Sequence, residues 1–207
     1  MTTEPASPVA VGFIDGQNIF NQAKRLFGRR QPDFDPVALH QEVSKMAGFV
    51  PGEVRFYTGV PTANRQPHWH RFWRNKTLAM KRAGVIVTTR PLRYRQRRLY
   101  DEDGELEVIT QAEEKGIDIR IALDLVRMAR RGEMDAGIIY SQDQDLNEVV
   151  SEIEAISQIQ GREIALASAF PSTPDNDFDR GIDRTRWLRI DQATYARCID
   201  VTDYRQG

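Results

Sequence analysis

The sequence predicts an α/β fold on a mainly parallel central sheet, and three observations lead there. Short apolar runs rich in β-branched and aromatic residues alternate with amphipathic helical stretches over most of the chain, the pattern of strands joined by helical crossovers. Two of those runs, VAVGFID and GIIYSQDQD, end in acids, and the carboxyl ends of parallel strands form the ligand crevice of open sheets. The length of 207 residues suits one domain with a substantial core, at the usual ~100–200 residues per domain.

Residues 9–15 read as the first strand, GQN as a turn, and IFNQAKRLFG as a helix. Asp35-Pro36 supplies an N-cap followed by proline at the first helical position, opening a helix to about Ala47. VRFYTGV, at 54–60, has strand composition. In HWHRFWRNKTLAMKRAG, Trp69, Phe72, Trp73, Lys76 and Met80 recur at helical spacing before Gly84 ends the helix. VIVTTRPL is the third strand. RYRQRRLYDEDGELEVITQ reads as a hairpin turning at Asp103-Gly104, with Arg93, Arg95 and Arg97 on one face of its first arm. Ile117, Ile121, Leu125 and Met128 form a helical stripe that stops at Gly132. GIIYSQDQD is then a strand, NEVVSEIEAISQIQG a helix and REIALASAF a strand, and the tail offers a short WLRI strand and a terminal helix.

Composition narrows the function classes. Apolar residues make up 40% and charged residues 29%, which fits neither disorder nor a membrane protein, and no apolar run approaches the ~20 residues of a bilayer span. The opening MTTEPASPVAVGFIDG lacks the basic and apolar regions of a signal peptide. The one cysteine, Cys198, excludes an internal disulfide and a Cys-based zinc site. A reducing cytoplasm is the expected setting. The net charge of −1 hides a split: between Val54 and Tyr100 there are twelve Arg or Lys and no acid, which leaves the rest with 17 of the 29 basic residues against all 30 acids. A basic segment of this length suits a polyanion-facing surface.

Asp15 follows the first strand, Asp143 and Asp145 follow GIIYS, Asp118 opens a helix, and Asp124 lies further along it. Carboxylates gathered in one cleft repel and call for a counter-cation, and hard oxygen ligands suit Mg²⁺ or Mn²⁺. Such a site serves phosphodiester cleavage. Each residue also has a structural role open to it: Asp15 and Asp145 as N-caps, Asp124 as a helix acid paired with Lys or Arg, Ser141 as a turn residue.

FIDGQN at 13–18, KGIDIRIALDLV at 115–126 and SQDQDL at 141–146, in that order and spacing, resemble the NYN domain, the PIN-like nuclease group also called the LabA or DUF88 family. The resemblance runs from about Val9 to Ala169. It implies a PIN-like three-layer α/β/α sandwich, here with an inserted basic hairpin, as a single domain over 1–207 whose core spans about 9–169 and whose C-terminal extension spans about 170–207. It also implies a metal-dependent endoribonuclease in which Asp15, Asp118 and Asp143 bind Mg²⁺ or Mn²⁺. Asp145 joins them as a catalytic acid, with Asn18, Asp124 and Ser141 in support. Where the family commonly has Gly, this chain has Gln142, which would be strained at φ > 0.

RNA is the expected partner, held by Arg90, Arg93, Arg95, Arg97 and Arg98. The alternatives are a non-catalytic RNA-binding or regulatory module and a protein-interaction adaptor whose hairpin docks an acidic partner; a homodimer stays open, and no membrane contact is expected. Other signals are set aside. His68 and His70 point different ways on a helix, Trp69 and Trp73 suit a core more than base stacking, and Asp175, Asp177 and Asp179 open a calcium-loop pattern that Arg180 and Arg186 break. No dinucleotide or NTP motif is present.

Overall fold

Strand β1 (Val9–Asp15) sets the plan of the molecule: Ala10 and Ile14 point into one buried cluster, Val11 and Phe13 into another. A strand covered on both faces reads as a continuous apolar run, as this one does. The computed structural model describes residues 7–100, 106–176 and 179–205. After β1 come α1 (Gly16–Phe27), α2 (Pro36–Ala47), β2 (Val50–Val60), α3 (Pro67–Arg82) and β3 (Ile86–Pro91). A hairpin of β4 (Arg93–Tyr100) and β5 (Leu106–Glu113) precedes α4 (Ile117–Arg131) and β6 (Ala136–Tyr140). A 3₁₀ turn over Gln144–Leu146 leads to α5 (Asn147–Gln160), β7 (Ala165–Pro171), β8 (Arg186–Ile190) and α6 (Gln192–Arg197).

Six strands form one sheet in the order β3-β2-β1-β6-β7-β8, and every pairing in it is parallel. The antiparallel hairpin is a separate two-stranded sheet; the Asp103-Gly104 turn expected for it, like Asp177, lies outside the described residues. Helices α1, α2 and α3 cover one face through Ile19, Leu39 and Phe72, while α4 and α5 cover the other through Ile121, Leu125 and Ile153. This is the α/β/α layering of a PIN-like fold. Sheet order reverses direction between β1 and β6, the place where open α/β sheets leave a crevice.

Three boundaries differ from the sequence reading for local reasons. Helix α1 takes in GQN, because the Asp15 carboxylate accepts from the Gln17 and Asn18 amides and starts the helix early. Strand β2 begins at Val50, where Val50 and Pro51 pair with Val9 and Ala10 ahead of a register shift. Strand β6 stops at Tyr140, and SQDQD becomes the turn that presents its acids.

The expected C-terminal extension is part of the sheet and core. β8 pairs with β7, and Leu188, Ile190 and Tyr195 are buried in the same cluster as β1. The segment after α6 is stitched to the loop between α1 and α2: the Asp35 amide donates to the Cys198 carbonyl at 2.7 Å, and the Asp200 amide to the Asp33 carbonyl at 2.7 Å. Lys76, only 2% exposed, extends from α3 to Asp200 at 3.2 Å under the Tyr204 ring. Among the described residues no helix is long and apolar enough to cross a membrane.

Candidate functional site

The crevice between the carboxyl ends of β1 and β6 collects acids from four places in the chain. Asp15, at the end of β1, caps α1 and is 5% exposed. Burial raises its pKa to about 7 against the pull of its two amide hydrogen bonds, and the charges of Asp118 and Asp143 raise it further. The capping role and the site role thus coincide in one residue.

Glu114 was not singled out by the sequence, and it belongs to this group. It follows β5, accepts a hydrogen bond from the Gly59 amide at the end of β2, and is raised to about 8 by burial and then by the charge of Asp15, with Asp118 adding to it. Gly59 is required for that approach: a Cβ there would lie 2.7 Å from Glu114 Oε2 and closer still to the Leu92 side chain. The only sequence signal was an acid four residues ahead of Asp118.

Asp118 enters in the first turn of α4, directly after Gly116 at φ 80°, a left-handed conformation that favours glycine. Its pKa is raised by burial, then by Asp143 and by Asp145. Asp143 caps the 3₁₀ turn, accepting from the Asp145 amide at 3.0 Å, while its own amide donates to Ser141 Oγ at 3.1 Å. Asn18 Oδ1 accepts from the Gln142 amide at 3.4 Å and so ties α1 to this turn. Gln142 is not at positive φ, so the departure from glycine carries no backbone strain. Its side chain donates to the Arg180 carbonyl at 2.8 Å and braces the turn against the loop before β8.

Asp124 stands apart. It is 2% exposed and engaged by Arg120 at 2.8 Å, by Arg127, by the Tyr57 hydroxyl at 3.0 Å and by Arg55 at 3.7 Å. These partners give it the helix-acid role weighed for it, as an ionic hub joining α4 to β2. His70 Nδ1 bonds the Pro61 carbonyl at 2.8 Å, and Trp73 is core, whereas Trp69 is 37% exposed.

Of the arginines, Arg90 ends β3 with its guanidinium packed beside Gly116. Strand alternation in β4 puts Arg93, Arg95 and Arg97 on one face and Arg98 on the other. Arg95 and Arg97 share Glu113, at 3.3 and 3.4 Å. Exposed pairs of this kind exchange readily, at ~0.2–1 kcal/mol.

Among the described residues no three potential ligands stand close enough to form a ready-made metal cage. The donor chemistry nonetheless fits a divalent cation: Asp15, Glu114, Asp118 and Asp143 are oxygen donors, and neighbouring carboxylates add to the raised pKa values of the first three.

A six-stranded parallel sheet layered by helices, with carboxylates at its direction reversal, has the architecture of a PIN-like α/β/α sandwich. The profile of the NYN domain matches residues 8–179. The chain belongs to the NYN domain family. Among solved structures it resembles a Vibrio parahaemolyticus protein of unknown function, with a TM-score of 0.50 and 17% identity over 92% of this chain and 98% of that one. A ribokinase from Giardia lamblia aligns with a TM-score of 0.38 and 14% identity over 70% of this chain and 41% of that one. No curated protein matches the chain.

Proposed function

We propose that the chain is a metal-dependent endoribonuclease whose site is built from Asp15, Asp118 and Asp143, with Glu114 added to them and Asp145 at the rim. One observation carries the reading: at the direction reversal of the sheet the charges of Asp118 and Asp143 bear on Asp15, those of Asp143 and Asp145 on Asp118, and those of Asp15 and Asp118 on Glu114. A divalent cation held there would offset charge developing on the phosphate and activate water. The chain's own residues do the positioning. Amides of Gln17 and Asn18 fix the Asp15 carboxylate, the Gly59 amide fixes Glu114, and Ser141 and Asn18 hold the turn that carries Asp143. Arg90 and the β4 arginines supply positive charge beside the acids, where an RNA backbone would lie.

The test is cleavage of single-stranded RNA in Mn²⁺, Mg²⁺, Ca²⁺ and EDTA, with Asp143→Asn run in parallel. Cleavage is expected in Mn²⁺ or Mg²⁺ and absent in EDTA, in Ca²⁺ and in the variant. Binding in every metal with cleavage in none would assign the chain to the RNA-binding modules instead. Cleavage by Asp143→Asn at the parent rate would overturn the mechanism.

A further inference from the structure

Beside the acids, between the start of α1 and the start of α3, lies an open cleft of about 160 Å³. That is below the ~300–1,000 Å³ that encloses a drug-sized ligand, and it suits one planar ring. Phe20 on α1, Trp69 and Trp73 on α3, and Leu92 all line it. Trp69 is over a third exposed although its edge packs on Phe72, with ring centroids 5.3 Å apart. Gln17 and Gln66 bring polar groups to the same lining.

The cleft and the acids share a wall. Gln17, whose amide holds Asp15, and Gly59, whose amide holds Glu114, both line the cleft. A ring seated against Trp69 therefore sits one strand end away from the carboxylates. The mouth also abuts the acid-free basic segment, where Arg65, next to Gln66 in the chain, lies 5.5 Å from the Tyr94 ring.

From this juxtaposition we propose that the α1–α3 cleft is a nucleobase subsite: it takes one unstacked base of a single-stranded RNA on Trp69 and so places a neighbouring phosphate at the acids. The inference rests on the nuclease reading for its substrate class. Aromatic stacking grips any base face, and the amides of Gln17 and Gln66 select among base edges. A paired base cannot reach the cleft without leaving its helix, so duplex RNA is a poor ligand.

The test uses the full chain in Ca²⁺ with short single-stranded RNAs, each carrying 2-aminopurine at one position. Fluorescence should quench at one position only, and Trp69→Ala should abolish the quench and weaken affinity about 5- to 100-fold. Trp69→Phe should retain most of the affinity. An abasic site at the quenched position should weaken the parent to a similar degree and Trp69→Ala no further. Unchanged affinity of Trp69→Ala, or losses that simply add, would overturn the subsite and leave the cleft as a protein contact. Failure of the parent to cut RNA in Mn²⁺ with the quench intact would sink the nuclease reading and leave the subsite standing.

Discussion

Asp15 does two opposed things at once, and the conflict makes it measurable. As a cap it stabilises α1; as a buried acid raised from 3.8 to about 7 it costs stability whenever it is charged. The folded chain holds this proton where the unfolded chain has released it, so without metal stability falls as pH rises from about 4 to about 7, and through Glu114 on to about 8. Asp15→Asn keeps a capping oxygen and removes the charge. In EDTA near pH 8 its melting temperature should exceed the parent's by several degrees, at ~2–4 °C per kcal/mol in a chain of this size, and the two should converge near pH 4. Mn²⁺ should raise the parent and not the variant. A parent whose melting temperature is flat over this range would refute the repulsion. Asp124 behaves in the opposite way: Asp124→Ala leaves the Tyr57 hydroxyl without its acceptor and takes the shared carboxylate from Arg120 and Arg127, and should cost about 2–4 kcal/mol by urea denaturation, while cleavage in the cold persists. The sequence left Asp124 open between site support and a helix acid paired with Lys or Arg, although six residues along a helix turn it about 120° from Asp118. Glu114 was not legible, since only the close approach that Gly59 permits, across 55 residues of sequence, brings it in.

At the scale of elements, strands and helices were readable wherever one residue both caps and ends a pattern. Asp35-Pro36 opens α2 and the helix ends at Ala47 as expected, and Gly132 closes α4. Position was less readable than type: periodicity cannot say that β1 lies between β2 and β6, nor that the hairpin leaves the main sheet, because both depend on contacts distant in sequence. The β4 face is where RNA affinity should respond most evenly. Replacing Arg93, Arg95 and Arg97 with Ala should flatten the dependence of log K on log salt by roughly 0.7 for each phosphate that is no longer neutralised, with turnover of bound RNA nearly unchanged. The Glu113 that Arg95 and Arg97 share sets a control. Glu113→Gln should tighten binding modestly, and an unchanged salt slope in the arginine variant would move RNA off this face.

The whole molecule is larger than the motifs that identify it. The family match stops at residue 179, yet β8 and α6 lie beyond it and bury Leu188, Ile190 and Tyr195. A chain ending at 179 would expose the edge of β7 and empty that part of the core, so it should fail to give a soluble species with cooperative thermal unfolding. A truncated chain that melts like the parent would make the tail dispensable. Charge is partitioned on this scale too, with the acid-free stretch from Val54 to Tyr100 making up most of β2 and all of α3, β3 and β4. The stitching of Asp33 and Asp35 to Cys198 and Asp200 has a consequence in time. Contacts that span so much of the chain close late and slowly, since loop entropy must be overcome before they form. Because Lys76 ties α3 to the same tail, the helix that carries Trp69, already packed on the sheet through Phe72 and Met80, gains its last brace only when Asp200 has docked.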